Sequence, residues 1–180
     1  EPVSIEAHWD RCVRMYERLV PVAEACDVRL IIHPSDPPLA ATEFSPQRWT
    51  DIIEAFPSEH SGLLYCIGTR YEALGDEVFD DIRHWGGKGK IFHTHFRNVQ
   101  GTVPSGGYAE CALDDGDMNM LTVLQTLREV GFDGGLQLDH LPAYAGDADQ
   151  RASAAYAVGY ARAMVKALEA FEGDPGVMTR

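Results

Sequence analysis

The sequence predicts a parallel α/β fold: four strand–helix units behind a leading helix. Three observations carry this. Short apolar, β-branched runs alternate with longer stretches of helical period, an order that requires parallel strands joined by helical crossovers. Gly, Pro, Ser and Asp punctuate the junctions. Each apolar run also ends in a residue able to bind a metal, and parallel strands carry such residues to one end of the sheet.

The first element is a helix over residues 5–26. Trp9, Val13, Tyr16, Leu19 and Val20 recur at three- and four-residue steps, and Pro21 is expected to kink or restart it. VRLIIH (28–33) reads as a strand stopped by the prolines of HPSDPP. SPQRWTDIIEAF (45–56) has Ser45 at the N-cap and Pro46 at the first helical position. GLLYC (62–66) is the second strand, GDEVFDDIRHW (75–85) a helix, and KIFHTHF (90–96) the third strand. Residues 98–116 read as a polar, lid-like loop whose Gly101, Gly106 and Gly107 permit tight turns or motion. A helix follows over 117–131, ended by Gly131, then the fourth strand, GLQLD (135–139). The last helix covers about 150–171, and 172–180 read as a flexible tail.

Four such units make either a small open sheet or half of an eight-stranded (β/α) barrel. The leading helix has no strand before it and the chain does not begin with Met, so the sequence reads as a single C-terminal portion of a larger barrel. A half-barrel exposes two sheet edges. Pairing with a missing N-terminal half, or with another copy in a homo-oligomer, is therefore expected.

The 180 residues carry 28 acidic against 15 basic side chains, a formal net charge of −13. That balance argues against nucleic acid and anionic membrane surfaces as partners. No run approaches the ~18 apolar residues of a membrane span. Cys12, Cys26, Cys66 and Cys111 have no CxxC spacing, which favours a reduced, cytoplasmic setting. No GxGxxG or GxxxxGK[ST] run marks a nucleotide site.

The strand ends hold the chemistry: His33, Cys66, His95 and Asp139, with His140 next. Singly, each has a bland reading: a loop histidine, a buried thiol, a turn-capping aspartate. Together they form a mixed nitrogen, sulfur and oxygen set that suits Mn²⁺, Fe²⁺, Co²⁺ or Zn²⁺ better than Ca²⁺ or Mg²⁺. His93 and His95 share a strand face. His95, nearer the mouth, is the expected ligand; His93 is a core residue or a partner behind the ligands. Arg97 and Asn98 are expected at the rim, where a guanidinium grips a carboxylate or forms a surface ion pair.

The motifs HPSDPP, GLLYCIGT, HFRNV, DDGDMNM and LDH, in this order, resemble the mannonate dehydratases, metal-dependent sugar-acid lyases on a xylose isomerase-like TIM barrel. The resemblance covers residues 8–165 and corresponds to the C-terminal half of such a protein. It implies Mn²⁺ or Fe²⁺ on His33, Cys66, His95 and Asp139. It implies proton transfer by His140 and a loop tyrosine, for which Tyr144 is the nearest position, with Arg97 and Asn98 placing a small sugar-acid substrate. Asp36 is retained from the family motif, whereas Ser35 and Leu141-Pro142 depart from it. Asp36 and Asp117 are expected to bind substrate, and Tyr108 and Glu110 to reach its hydroxyls; Asp117 has the alternative of capping the helix after it. The implied reaction is loss of water from D-mannonate to give 2-keto-3-deoxy-D-gluconate. The alternatives are a metal-dependent sugar isomerase or epimerase and a catalytically inactive metal-binding fragment.

Overall fold

A computed structural model describes residues 4–35 and 46–173. Helix α1 (Ile5–Cys26) starts at Ser4, whose side chain accepts from the Ala7 amide at 3.2 Å, and ends at Asp27 in the left-handed conformation. It runs unbroken through Pro21. Pro21 and Glu17 both lie on the exposed side, so the carbonyl that loses its helical donor faces solvent. The buried face is Tyr16, Val20 and Ala23; Leu19, expected on it, is 40% exposed.

The strands β1 (Leu30–Ile32), β2 (Ser61–Cys66), β3 (Ile91–Phe96) and β6 (Gly135–Leu138) form one parallel sheet in the order β1-β2-β3-β6. The helices α2 (Pro46–Ala55), α5 (Met120–Glu129) and α6 (Arg151–Gly173) follow the expected pattern. Helix α2 begins at Pro46 as anticipated, and its proposed cap Ser45 lies outside the described residues. The tail reading begins two residues too early, since α6 reaches Gly173; residues 174–180 lie outside the described residues.

Two elements differ from the sequence reading. Helix α3 (Ile67–Leu74) follows β2 directly, and a 3-10 turn over Gly75–Glu77 separates it from α4 (Val78–Gly87). Residues Ile67 to Glu72 are all buried, so α3 carries no alternation of polar and apolar faces to betray it. The expected loop 98–116 contains an antiparallel hairpin, β4 (Val99–Thr102) with β5 (Gly107–Glu110).

One face of the sheet packs on the helices. Leu63, Tyr65, Thr94 and Phe96 are fully buried there. Beneath them the Tyr65 hydroxyl donates to Asp81 at 2.6 Å, and Arg70 grips the same carboxylate at 2.8 and 2.7 Å. The other face carries Ile31, Leu64, His93, His95 and Gln137, all half-buried or exposed. Leu63 pairs with Ile91 but Leu64 with His93, so Phe92 is a bulge residue on β3. The bulge keeps His93 and His95 on the open face, beside Leu64 and Cys66. Strands β1 and β6 each have one strand partner among the described residues, leaving an open edge on either side.

Gly101, in β4 opposite Tyr108, lets the two hairpin strands approach closely. Its φ is +80°, and a β-carbon there would stand 2.5 Å from the Gly107 carbonyl oxygen. Gly101→Ala is therefore expected to cost about 1–3 kcal/mol, from the left-handed backbone and the backbone clash together. Urea unfolding measures the loss. An unchanged midpoint would show that the hairpin is not held as described.

Candidate metal centre

His33 follows β1, Cys66 closes β2, His95 is the penultimate residue of β3, and Asp139 follows β6. Parallel pairing brings all four to the same end of the sheet. One ligand atom from each lies within 4.8 Å of all the others. His33 Nε2 is 3.1 Å from His95 Nδ1, which is 2.9 Å from Asp139 Oδ2. His33 Nδ1 lies 2.6 Å from the Pro34 carbonyl oxygen. A carbonyl only accepts, so Nδ1 carries a hydrogen, and Nε2 is the nitrogen that faces the cluster.

Cys66 decides whether this set fits a metal. Burial alone would push its thiol up. Hydrogen bonds with His33 and His95, the Arg97 charge and a hydrogen bond from Thr69 outweigh burial and bring it down to about 5. Thr69 Oγ1 donates to the sulfur at 3.1 Å and Arg97 Nε at 3.3 Å. The unforeseen helix α3 supplies part of this, because it starts directly after Cys66 and carries Thr69. Cys111 is the contrast: burial and the acidic neighbours Asp115, Glu110, Asp117 and Asp114 push its thiol up to about 11. A thiolate, two imidazoles and a carboxylate thus converge, and that donor set fits a borderline divalent ion.

Arg97 is not at the rim. It is 1% exposed, and its guanidinium is committed to protein groups. Nη2 donates to Thr69 Oγ1 at 2.9 Å and stands 2.8 Å from Glu72 Oε1; Nη1 donates to both Glu110 oxygens at 2.9 and 3.0 Å. Two features bury it. The hairpin carries Glu110 over the strand end, and Gly68 opens a slot: a β-carbon there would lie 2.6 Å from Arg97 Nη1. The rim position expected from the sequence is replaced by a buried one, with contacts to Glu72, Glu110 and the Cys66 sulfur. Thr69 and Glu72 were missed by the sequence reading. Recognising α3 would have exposed them, because they lie three residues apart on one helical face.

Asn98 is also buried. Its amide nitrogen donates to the Leu113 and Met118 carbonyls, both at 2.9 Å. Its oxygen accepts from the Val99 and Met118 amides at 3.0 and 3.2 Å. Those four bonds exhaust the carboxamide, so it ties the strand end to the loop rather than offering itself to a substrate. Asp117 is exposed and accepts from the Gly101 amide at 2.7 Å. It pins the hairpin, while the helix cap is Asn119, which accepts from Leu121 and Thr122. Asp36 lies outside the described residues. His93 stands behind the cluster, with Nε2 3.2 Å from Gln137 Oε1.

His140 and Tyr144 line one cleft with Arg97, Asp139 and Tyr156. His140 Nδ1 is 2.8 Å from Glu110 Oε1, and Nε2 is 3.6 Å from Asp139 Oδ2. Burial lowers the His140 pKa, but the hydrogen bond with Glu110 and the Asp139 and Glu110 charges more than offset burial and Arg97, so it rises. Tyr144 is 38% exposed at the cleft's edge. Tyr156, on α6, was not foreseen in the site; its hydrogen bond with Asp114 raises it to about 12.

A four-stranded parallel sheet whose strand ends gather His, Cys and Asp donors defines a parallel α/β protein with a metal-type site at the carboxyl ends of its strands. The solved structures agree on the fold. A mannonate dehydratase from Streptococcus suis serotype 2 superposes with a TM-score of 0.76 at 25% identity, covering 93% of this chain and 52% of that one. A xylose isomerase domain protein from Planctomyces limnophilus gives 0.69 at 18% identity, covering 92% and 56%. The D-mannonate dehydratase (UxuA) family model matches residues 1–173, and the chain belongs to that family. Mannonate dehydratase 2 of Halalkalibacterium halodurans is 28% identical over 144 residues, covering 77% of this chain and 42% of the relative. The Thermotoga maritima mannonate dehydratase is 29% identical over 145 residues, covering 77% and 40%. The chain thus spans about two-fifths of the length of these curated relatives.

Proposed function

We propose that this chain forms the metal-binding half of a cytoplasmic carbon–oxygen lyase that converts D-mannonate to 2-keto-3-deoxy-D-gluconate. His33, Cys66, His95 and Asp139 would hold Mn²⁺ or Fe²⁺, with Co²⁺ and Zn²⁺ compatible with the same donors. The observation that carries the reading is the convergence of those four ligand atoms within 4.8 Å, in surroundings that favour the Cys66 thiolate. When bound, the ion supplies Lewis acidity toward the oxygens of the sugar acid and offsets its negative charge.

The protein's own part is proton movement and shelter. The C2 hydrogen leaves as a proton, its electron pair forms the C2–C3 double bond, and the C3 hydroxyl departs as water with a proton from an acid. The resulting enol becomes the ketone by taking a proton at C3. His140 and Tyr144 share the transfers at C2 and at the leaving hydroxyl. Arg97 holds Cys66 and Glu110 in place, and the hairpin covers that end of the sheet. No described helix is long and apolar enough to cross a membrane. The open edges of β1 and β6 support pairing with another half-barrel, whether from the remainder of a longer protein or from a second copy.

The test is elemental analysis of the purified chain before and after chelation, with a keto-deoxy acid assay on D-mannonate in parallel. About one Mn, Fe, Co or Zn per chain with metal-dependent product is expected. An isomerised sugar in place of the keto acid would overturn the dehydration. Bound metal with neither product would mark a metal-binding domain without turnover. Well-folded protein without metal would overturn the centre itself.

A further inference from the structure

We propose that Glu110 is a positioning residue for His140, fixing which ring nitrogen holds the proton. The inference rests on the reading that His140 moves a proton at this site. Glu110 Oε1 stands 2.8 Å from His140 Nδ1. A carboxylate only accepts, so Nδ1 carries a hydrogen in the neutral ring and Nε2 is the lone-pair nitrogen. Nε2 is the ring atom near the ligand cluster, 3.6 Å from Asp139 Oδ2. Without a partner at Nδ1, histidine in water prefers the opposite tautomer, which would place a hydrogen at that nitrogen.

Two features show that the arrangement is built. Glu110 is itself anchored, because Arg97 Nη1 donates to both of its oxygens at 2.9 and 3.0 Å. The same guanidinium donates through Nε to the Cys66 sulfur at 3.3 Å, so one buried cation sets both a metal ligand and the histidine's partner. His140 also has φ +47°, a left-handed backbone that a non-glycine residue adopts at a cost. That turn lets Asp139 and His140, consecutive in sequence, address the same cleft. The hairpin's role follows: β5 ends at Glu110 and delivers the carboxylate to a ring that leaves β6.

The experiment is nitrogen-15 spectroscopy of the histidine rings in the 180-residue chain loaded with Zn²⁺, without sugar acid, above the pH at which His140 is charged. The His140→Gln variant assigns the signals. The wild type is expected to show a pyrrole-like Nδ1 and a pyridine-like Nε2 at His140. Glu110→Ala is expected to make the Nε2–H form dominant with zinc content unchanged, a shift that a merely structural role would not produce. An Nε2–H ring in the wild type overturns the proposal, as does an unchanged tautomer in folded Glu110→Ala. The wild-type spectrum decides even where the variant does not fold. Because no substrate is present, the expected tautomer together with failure on D-mannonate would sink the dehydratase reading and leave this assignment standing.

Discussion

Cys66→Ser is expected to yield a folded chain that no longer retains a divalent ion. Cys66 is fully buried, yet the groups around its sulfur favour the charged form: His33, His95, Arg97 and Thr69 bring the thiol from 9.0 to about 5. A serine hydroxyl does not ionise under the same influence, so the cluster loses its one sulfur donor and the negative charge that sulfur carries. Removing a partner behind a ligand costs about 10- to 100-fold in metal affinity, and removing the ligand should cost more. Metal content after dialysis against a competing chelator measures this; undiminished content would take Cys66 out of the site. Metal-free wild type adds a pH signature. The folded-state pKa lies below the unfolded value, so the folded form binds fewer protons between the two. The thiolate's contribution to stability is full above pH 9.0 and is lost as pH falls toward about 5. Ultraviolet thiolate absorbance should therefore persist to about pH 5 in wild type and be absent there in Cys66→Ser. A midpoint at the ordinary thiol value would refute the electrostatic account.

The convergence of His33, Cys66, His95 and Asp139 was legible because parallel pairing maps sequence position onto space: four apolar runs, each closing on a donor type, converge whatever the helices do. What could not be read is where the polar residues after those ends point. Arg97 follows His95 by two residues and reads as a rim side chain. The structure turns it inward because Gly68 leaves room and because Glu72 and Glu110 supply carboxylates, and neither carboxylate is placed by local pattern. Helix α3 escapes notice because burial on all sides erases its period, and with it goes the sight of Thr69 and Glu72. The hairpin escapes because two four-residue strands rich in glycine and polar residues look like loop until they pair. Asn98 shows the same limit: its type fits substrate contact, but only tertiary placement shows its four bonds spent on backbone.

Arg97→Met is expected to be the most destabilising single change at this site. The guanidinium is buried among the carboxylates of Glu72, Glu110 and Asp139 and the sulfur of Cys66, at 2.8, 2.9, 3.9 and 3.3 Å. Removing one member of a buried charge pair leaves the other desolvated without compensation, at about 3–5 kcal/mol. Glu72 sets the size of the effect, because it is wholly buried on α3 and gains no solvent when Arg97 goes. A domain's whole stability is about 5–15 kcal/mol, so the variant should sit near its unfolding transition. Arg97→Lys restores the charge without the planar fork, and one ammonium cannot reproduce the guanidinium's spread of contacts to Thr69, Glu72, Glu110 and Cys66. It should therefore recover only part of the loss. Adding Glu72→Gln to Arg97→Met removes the stranded charge and should recover stability relative to Arg97→Met alone. Urea unfolding of the two single variants and the double variant yields the coupling between the residues. Strictly additive losses would mean that Arg97 stabilises the fold by packing alone, and the charge network around the thiolate would have to be redrawn.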